Sequence, residues 1–210
     1  MKQRLIAAVT AAALLWFYMF SPWTAGLTNF WLTMTAAAVI LTTLALVFSP
    51  DKLPKIERPP LQVLFGIGIA FFLWGVFWVG DKASAWLFDF ARPEVDSIYS
   101  MKTGLPPAVI AALLLLVIGP AEEFFWRGYV QRTMGKLLEG RKSAQNIAFA
   151  VTTAIYALVH IWSFNFMLVM AALVAGLVWG FLYRLDPKLL PALILSHALW
   201  DALVFVWMPI

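Results

Sequence analysis

The chain has 210 residues, of which 63% are hydrophobic and only 12% charged, with a formal net charge of +4. A soluble domain carries about 25% charged residues, so this composition excludes a water-soluble globular protein and points to one polytopic membrane bundle. Cysteine is absent, which removes disulfides, thiolate metal sites and a cysteine nucleophile together.

The first apolar run, Leu5 to Phe20, follows Lys2 and Arg4. A signal peptide has this charge order, but the run is long and aromatic. Ala25 and Gly26 beside Trp23 make a poor cleavage site, so it reads as an anchor that stays. Thr28 to Phe48 is a second span. Ser49 to Pro60, SPDKLPKIERPP, is a charged, proline-rich loop that cannot continue a helix. Leu61 to Gly80 is a third span.

Asp81 to Gly104 mixes charges with Trp86, Leu87, Phe88 and Phe90. It predicts an interfacial segment with a short amphipathic helix around Ala83 to Phe90, or an ordinary loop with surface aromatics. A fourth span starts near Leu105, and its continuation, Tyr129 to Glu139, turns polar and is expected to leave the membrane. Ser143 to Trp162, Phe164 to Tyr183 and Leu189 to Met208 complete seven spans. In the sixth, Ala172, Gly176 and Gly180 recur every fourth residue, the pattern of a close packing face.

Cation placement sets an expected orientation. One side of the seven-span arrangement holds Lys2, Arg4, Lys52, Lys55, Arg58, Arg132, Lys136, Arg141, Lys142, Arg184 and Lys188; the other holds Lys82, Arg92 and Lys102. Eleven against three predicts a cytoplasmic N-terminus.

The ionisable residues inside the spans are few: Glu122, Glu123, Arg127, His160, His197 and Asp201. Such groups usually face the bundle interior and pair. Glu123 and Arg127 lie one turn apart and can neutralise each other. Glu122 is rotated about 100° from Glu123 and is left without that partner. Glu122 and His160 are equally far along the chain from Arg141, in the turn between their spans, so an antiparallel pair sets them at one height. His197 and Asp201 share a face, as do Tyr156 and His160.

A carboxylate beside a neutral imidazole can hold a water and remove its proton. A second imidazole with a polar neighbour can donate to a developing oxyanion. No serine or cysteine nucleophile stands in this set, so direct attack by water is the simpler chemistry. A single Glu or His in a membrane helix is more often interhelical glue, and spacing alone leaves a hydrolase and an ion pathway both open.

The motifs resemble a known family. Glu122-Glu123-x-x-x-Arg127, Tyr156-x-x-x-His160 and His197-x-x-x-Asp201 are similar, in order and interval, to the three motifs of the CPBP family, the CaaX protease and bacteriocin-processing glutamic intramembrane endopeptidases. The resemblance covers about Leu105 to Leu203. Tyr156 stands where Phe is usual, and Asp201 takes a position held by Asn or Asp.

The resemblance implies Glu122 as the base helped by His160, His197 and Asp201 on the oxyanion side, and Glu123 with Arg127 in support. Asp201, an acceptor unless protonated, would alternatively orient His197, and Tyr156 would add a hydroxyl near the water. The expected protein is an all-α bundle of about seven transmembrane helices with an intramembrane catalytic cavity. Residues 1–104 form spans without motifs and residues 105–210 the catalytic core of a single integrated membrane domain.

The expected activity is hydrolysis of a peptide bond near the end of a membrane-anchored or hydrophobic protein or peptide, in a bacterial cytoplasmic membrane. Substrates of the CaaX, sorting-tail, pheromone-precursor and bacteriocin-precursor types stay open. The partners are that substrate and the lipid bilayer, with no nucleic acid and no cofactor. The alternatives are a zinc peptidase using Glu122, His160 and His197, although no HExxH string is present, a proton or ion relay, and a bacteriocin-immunity role.

Overall fold

Apolar runs bounded by prolines and capping asparagines set the helix ends. A computed structural model describes residues 1–49 and 56–210. Residues 50–55 of the proline-rich segment, with Lys52 and Lys55, lie outside the described residues. Among the described residues, seven helices are long and apolar enough to cross a bilayer: α1 (Lys2–Phe20), α2 (Phe30–Phe48), α3 (Pro59–Leu87), α5 (Pro107–Leu137), α6 (Ala144–Ser163), α7 (Phe166–Leu185) and α8 (Pro187–Trp207). A short helix, α4 (Ala91–Ser100), lies between α3 and α5. The Asn29 side chain caps α2 by accepting from the Trp31 and Leu32 amides, and Asn165 caps α7 through the Leu168 amide. Proline opens α3 and α5, where no N–H partner is lost. The all-α, seven-span architecture expected from the sequence is the one observed.

Four boundaries differ from the sequence reading. α3 does not stop at Gly80 but continues to Leu87, and the short helix falls at Ala91–Ser100 rather than Ala83 to Phe90. The reason is Asp81. Its carboxylate is buried and paired with Lys82 at 3.0 Å and Arg92 at 2.9 Å, so the charge does not end the helix. α5 continues past Tyr129 to Leu137. There Tyr129, Val130 and Gln131 are buried, and the Gln131 amide donates to the Gly180 carbonyl at 2.9 Å. α1 begins at Lys2 rather than at Leu5 and has 19 residues.

α8 is the central element and packs along α3 and α5. The approach is close enough that a Cβ on Gly119 of α5 would sit 2.5 Å from the Ala198 Cα. Glycine there lets the two backbones touch beside His197. Within α5, wide π-type turns at Leu114–Ile118 and Phe124–Gln131 flank the ordinary helical turn Gly119–Glu123. Insertions of this kind re-aim side chains and are frequent at functional sites. Trp16, Trp31, Trp126 and Trp179 are almost fully buried.

Candidate active site

The structure begins the site with one carboxylate oxygen. Glu123 Oε2 accepts from Arg127 Nη1 at 3.2 Å and from His197 Nδ1 at 3.1 Å. Both Glu123 and Arg127 are 0% exposed, so neither charge is shared with solvent. Arg127 Nη2 donates to the Gly176 carbonyl at 3.3 Å. The guanidinium also lies 4.8 Å from the Tyr156 ring centroid and 5.7 Å from that of Trp179, positions that favour cation–π attraction. A Cβ at Gly176 would meet Tyr156 at 3.0 Å, so the small-residue stripe of α7 does serve as a packing face against α6.

Glu123 therefore does more than hold Arg127. A carboxylate only accepts, so His197 carries a proton on Nδ1. Trp179 stacks on the imidazole, with centroids 4.0 Å apart and planes at 17°, and its own Nε1 donates to Ser196 Oγ at 3.1 Å. His197 Nε2 is 3.6 Å from Asp201 Oδ2, beyond hydrogen-bond range. The sequence reading allowed Asp201 to orient His197; in the structure Glu123 holds the orienting bond and Asp201 stands off the opposite nitrogen.

His160 is anchored differently. Its Nδ1 lies 2.8 Å from the Tyr156 carbonyl, one turn back on α6, and its Nε2 accepts from the Trp16 indole at 3.0 Å. Glu122 stands apart from all of these. It is 7% exposed, and among the described residues no hydrogen bond or ion pair reaches its carboxylate.

Glu122, Tyr156, His160, His197 and Asp201 line one cavity of about 420 Å³. Glu123 and Arg127 lie behind its wall. The remaining wall is largely hydrocarbon and aromatic, and it draws on the N-terminal spans through Phe20, Trp31 and Met34. A larger hollow of about 810 Å³ lies between α3 and α7, but Leu64, Phe72, Leu177 and the rest of its lining offer no group able to do chemistry.

The lining of the smaller cavity takes in Phe20 at the end of α1, Phe30 at the start of α2, and Val95, Ile98 and Tyr99 of α4. α4 is tied on three sides. Arg92 pairs with Asp81 of α3 at 2.9 Å, Glu94 Oε2 accepts from the Met167 amide of α7 at 2.8 Å, and the Ile210 amide donates to Tyr99 Oη at 3.0 Å. Burial pushes the Tyr99 phenol up from its ordinary value, which keeps it a neutral hydroxyl for that bond. Among the described residues no three His, Asp or Glu side chains are grouped as metal ligands.

Sequence reasoning missed Trp16 and Trp179. A buried indole N–H needs an acceptor, but with 11 tryptophans in the chain that signal selects none of them.

No curated protein and no solved structure matches the chain significantly. Residues 104–203, just under half of the chain, match the family described as type II CAAX prenyl endopeptidase Rce1-like.

Proposed function

We propose that the protein is an intramembrane endopeptidase in which Glu122 activates water for attack on a peptide bond near the end of a membrane-anchored or hydrophobic protein. The observation that carries this reading is the unpaired Glu122 carboxylate on the wall it shares with His160, His197 and Asp201. Water held by Glu122 gives up a proton as its oxygen bonds to the carbonyl carbon. That proton then passes to the amide nitrogen as the C–N bond breaks. The oxyanion falls to His197, with Asp201, 3.6 Å from its Nε2, as a counter-charge to the imidazole. Because Nδ1–H of His197 is committed to Glu123, donation from Nε2 requires the imidazolium. The carboxylates of Glu122, Glu123 and Asp201 supply the opposing charge. Tyr156 and the Glu123–Arg127 pair hold the geometry.

The reaction needs no metal in this reading. Candidate substrates with prenylated, sorting-tail or precursor-peptide ends are co-expressed with wild type or Glu122→Ala and weighed by mass spectrometry. We expect a cut with wild type alone, unchanged by chelators. Metal-reversible loss of cleavage would favour the zinc alternative.

We place the protein in a bacterial cytoplasmic membrane with the N-terminus cytoplasmic. Of the described surface cations, Lys2, Arg4, Arg58, Arg132, Lys136, Arg141, Lys142, Arg184 and Lys188 lie toward the N-terminal face, and only Lys82, Arg92 and Lys102 toward the α4 face. α4, on the cation-poor face, lines the cavity, so in this reading the substrate's end approaches from outside the cytoplasm. The cysteine-free chain makes this directly measurable. Asp89 and Lys142 are both exposed. On intact bacterial cells an impermeant maleimide should label Asp89→Cys and not Lys142→Cys. The reverse pattern would put the cavity on the cytoplasmic side.

A further inference from the structure

We propose that Trp16 competes with water for His160: its indole N–H occupies the acceptor nitrogen of the imidazole in the resting protein and yields when that nitrogen takes up water. This rests on the reading of His160 as a water-holding residue.

The argument starts from the tautomer. A carbonyl cannot donate, so the 2.8 Å contact with the Tyr156 carbonyl places the proton of a neutral imidazole on Nδ1. The lone pair is then on Nε2. An indole N–H is a donor only, and Trp16 Nε1 is 3.0 Å away. Both ring nitrogens are thus engaged by the protein, and none is left for the cavity that His160 lines. For His160 to hold or orient water, the Trp16 bond has to be exchanged for one to water, since the Tyr156 bond lies within α6 itself.

The setting fits a specific contact rather than filler. Trp16 is 1% exposed. It meets His160 edge-on at 5.9 Å and Trp126 of α5 edge-on at 6.3 Å. One turn further along α1, Phe20 comes within 5.5 Å of the same imidazole and lines the cavity. α1 therefore braces the Val159–Ser163 turn that carries His160. It lies outside the family-matched residues 104–203, so the matched segment lacks its own donor for this nitrogen. The N-terminal spans, which carry no motif, supply it.

The chain has two histidines, so protein labelled with 15N only at histidine gives a spectrum of two imidazoles, assigned with His160→Gln. In Trp16→Phe we expect His160 to keep its proton on Nδ1 while the Nε2 resonance moves toward that of a nitrogen without a donor. Trp126→Phe, a matched loss of ring volume in the same cluster, should leave the resonance in place. Peptide cleavage by Trp16→Phe should rise by roughly 2- to 10-fold, the range set by releasing one hydrogen bond.

An Nε2 resonance unmoved in Trp16→Phe overturns the proposal. So does a moved resonance with a rate loss as large as that of His160→Ala, which would make the indole part of the productive alignment instead of a competitor of water. The resonance is read without substrate. A wild-type protein that cleaves nothing would therefore overturn the catalytic reading of His160, while the spectrum still decides the bond.

Discussion

Glu122→Gln will lower peptide cleavage by about 10²–10⁴-fold, the usual loss when a general base is removed, and will leave the detergent melting temperature close to that of wild type. The amide keeps the shape of the side chain but cannot take a proton from water. Stability should hardly change, because Glu122 has no ion pair or hydrogen bond among the described residues and a buried amide is cheaper to keep than a buried carboxylate. Glu123→Gln should behave differently: partial activity with a lower melting temperature. Glu123 Oε2 serves Arg127 and His197 at once, so an amide leaves the guanidinium under-compensated and weakens the hold on His197. Cleavage rate and melting temperature measured on both variants decide between these patterns. Equal rate losses with equal destabilisation would remove the division of labour, and a fully active Glu122→Gln would remove the glutamic mechanism.

Arg127→Ala is expected to destabilise the fold by about 3–5 kcal/mol, the cost of stranding one partner of a buried ion pair. Here the stranded partner is Glu123, 0% exposed and without solvent to screen it. The Gly176 carbonyl loses its donor from Arg127 as well, and the space between Tyr156 and Trp179 loses its filling. Folded yield and melting temperature should fall together with activity. An inactive Arg127→Ala that melts like wild type would instead place Arg127 in the chemistry. The two expected results are complementary: one variant loses rate at constant stability, the other loses the scaffold.

The sequence alone determined the membrane class, the seven spans and the short set of ionisable residues that meet around one cavity. Hydrocarbon leaves a polar group few places to go, so every charge inside a span is informative; antiparallel register predicted Glu122 and His160 at one height, and both line the cavity. The Glu123–Arg127 pair was legible because i,i+4 neighbours on a helix must meet. The tertiary structure decided which nitrogen faces which oxygen. That Glu123 rather than Asp201 bonds His197 Nδ1 depends on the approach of α5 to α8 at Gly119 and on the wide turns of α5, and neither is a property of spacing. The end of α3 was misplaced because the partner that neutralises Asp81, Arg92, comes from the next helix. Trp16 was out of reach for the same reason. Its meaning lies in a hydrogen bond to a residue 144 positions away, and local pattern carries no record of a contact that only the packing of α1 against α6 creates.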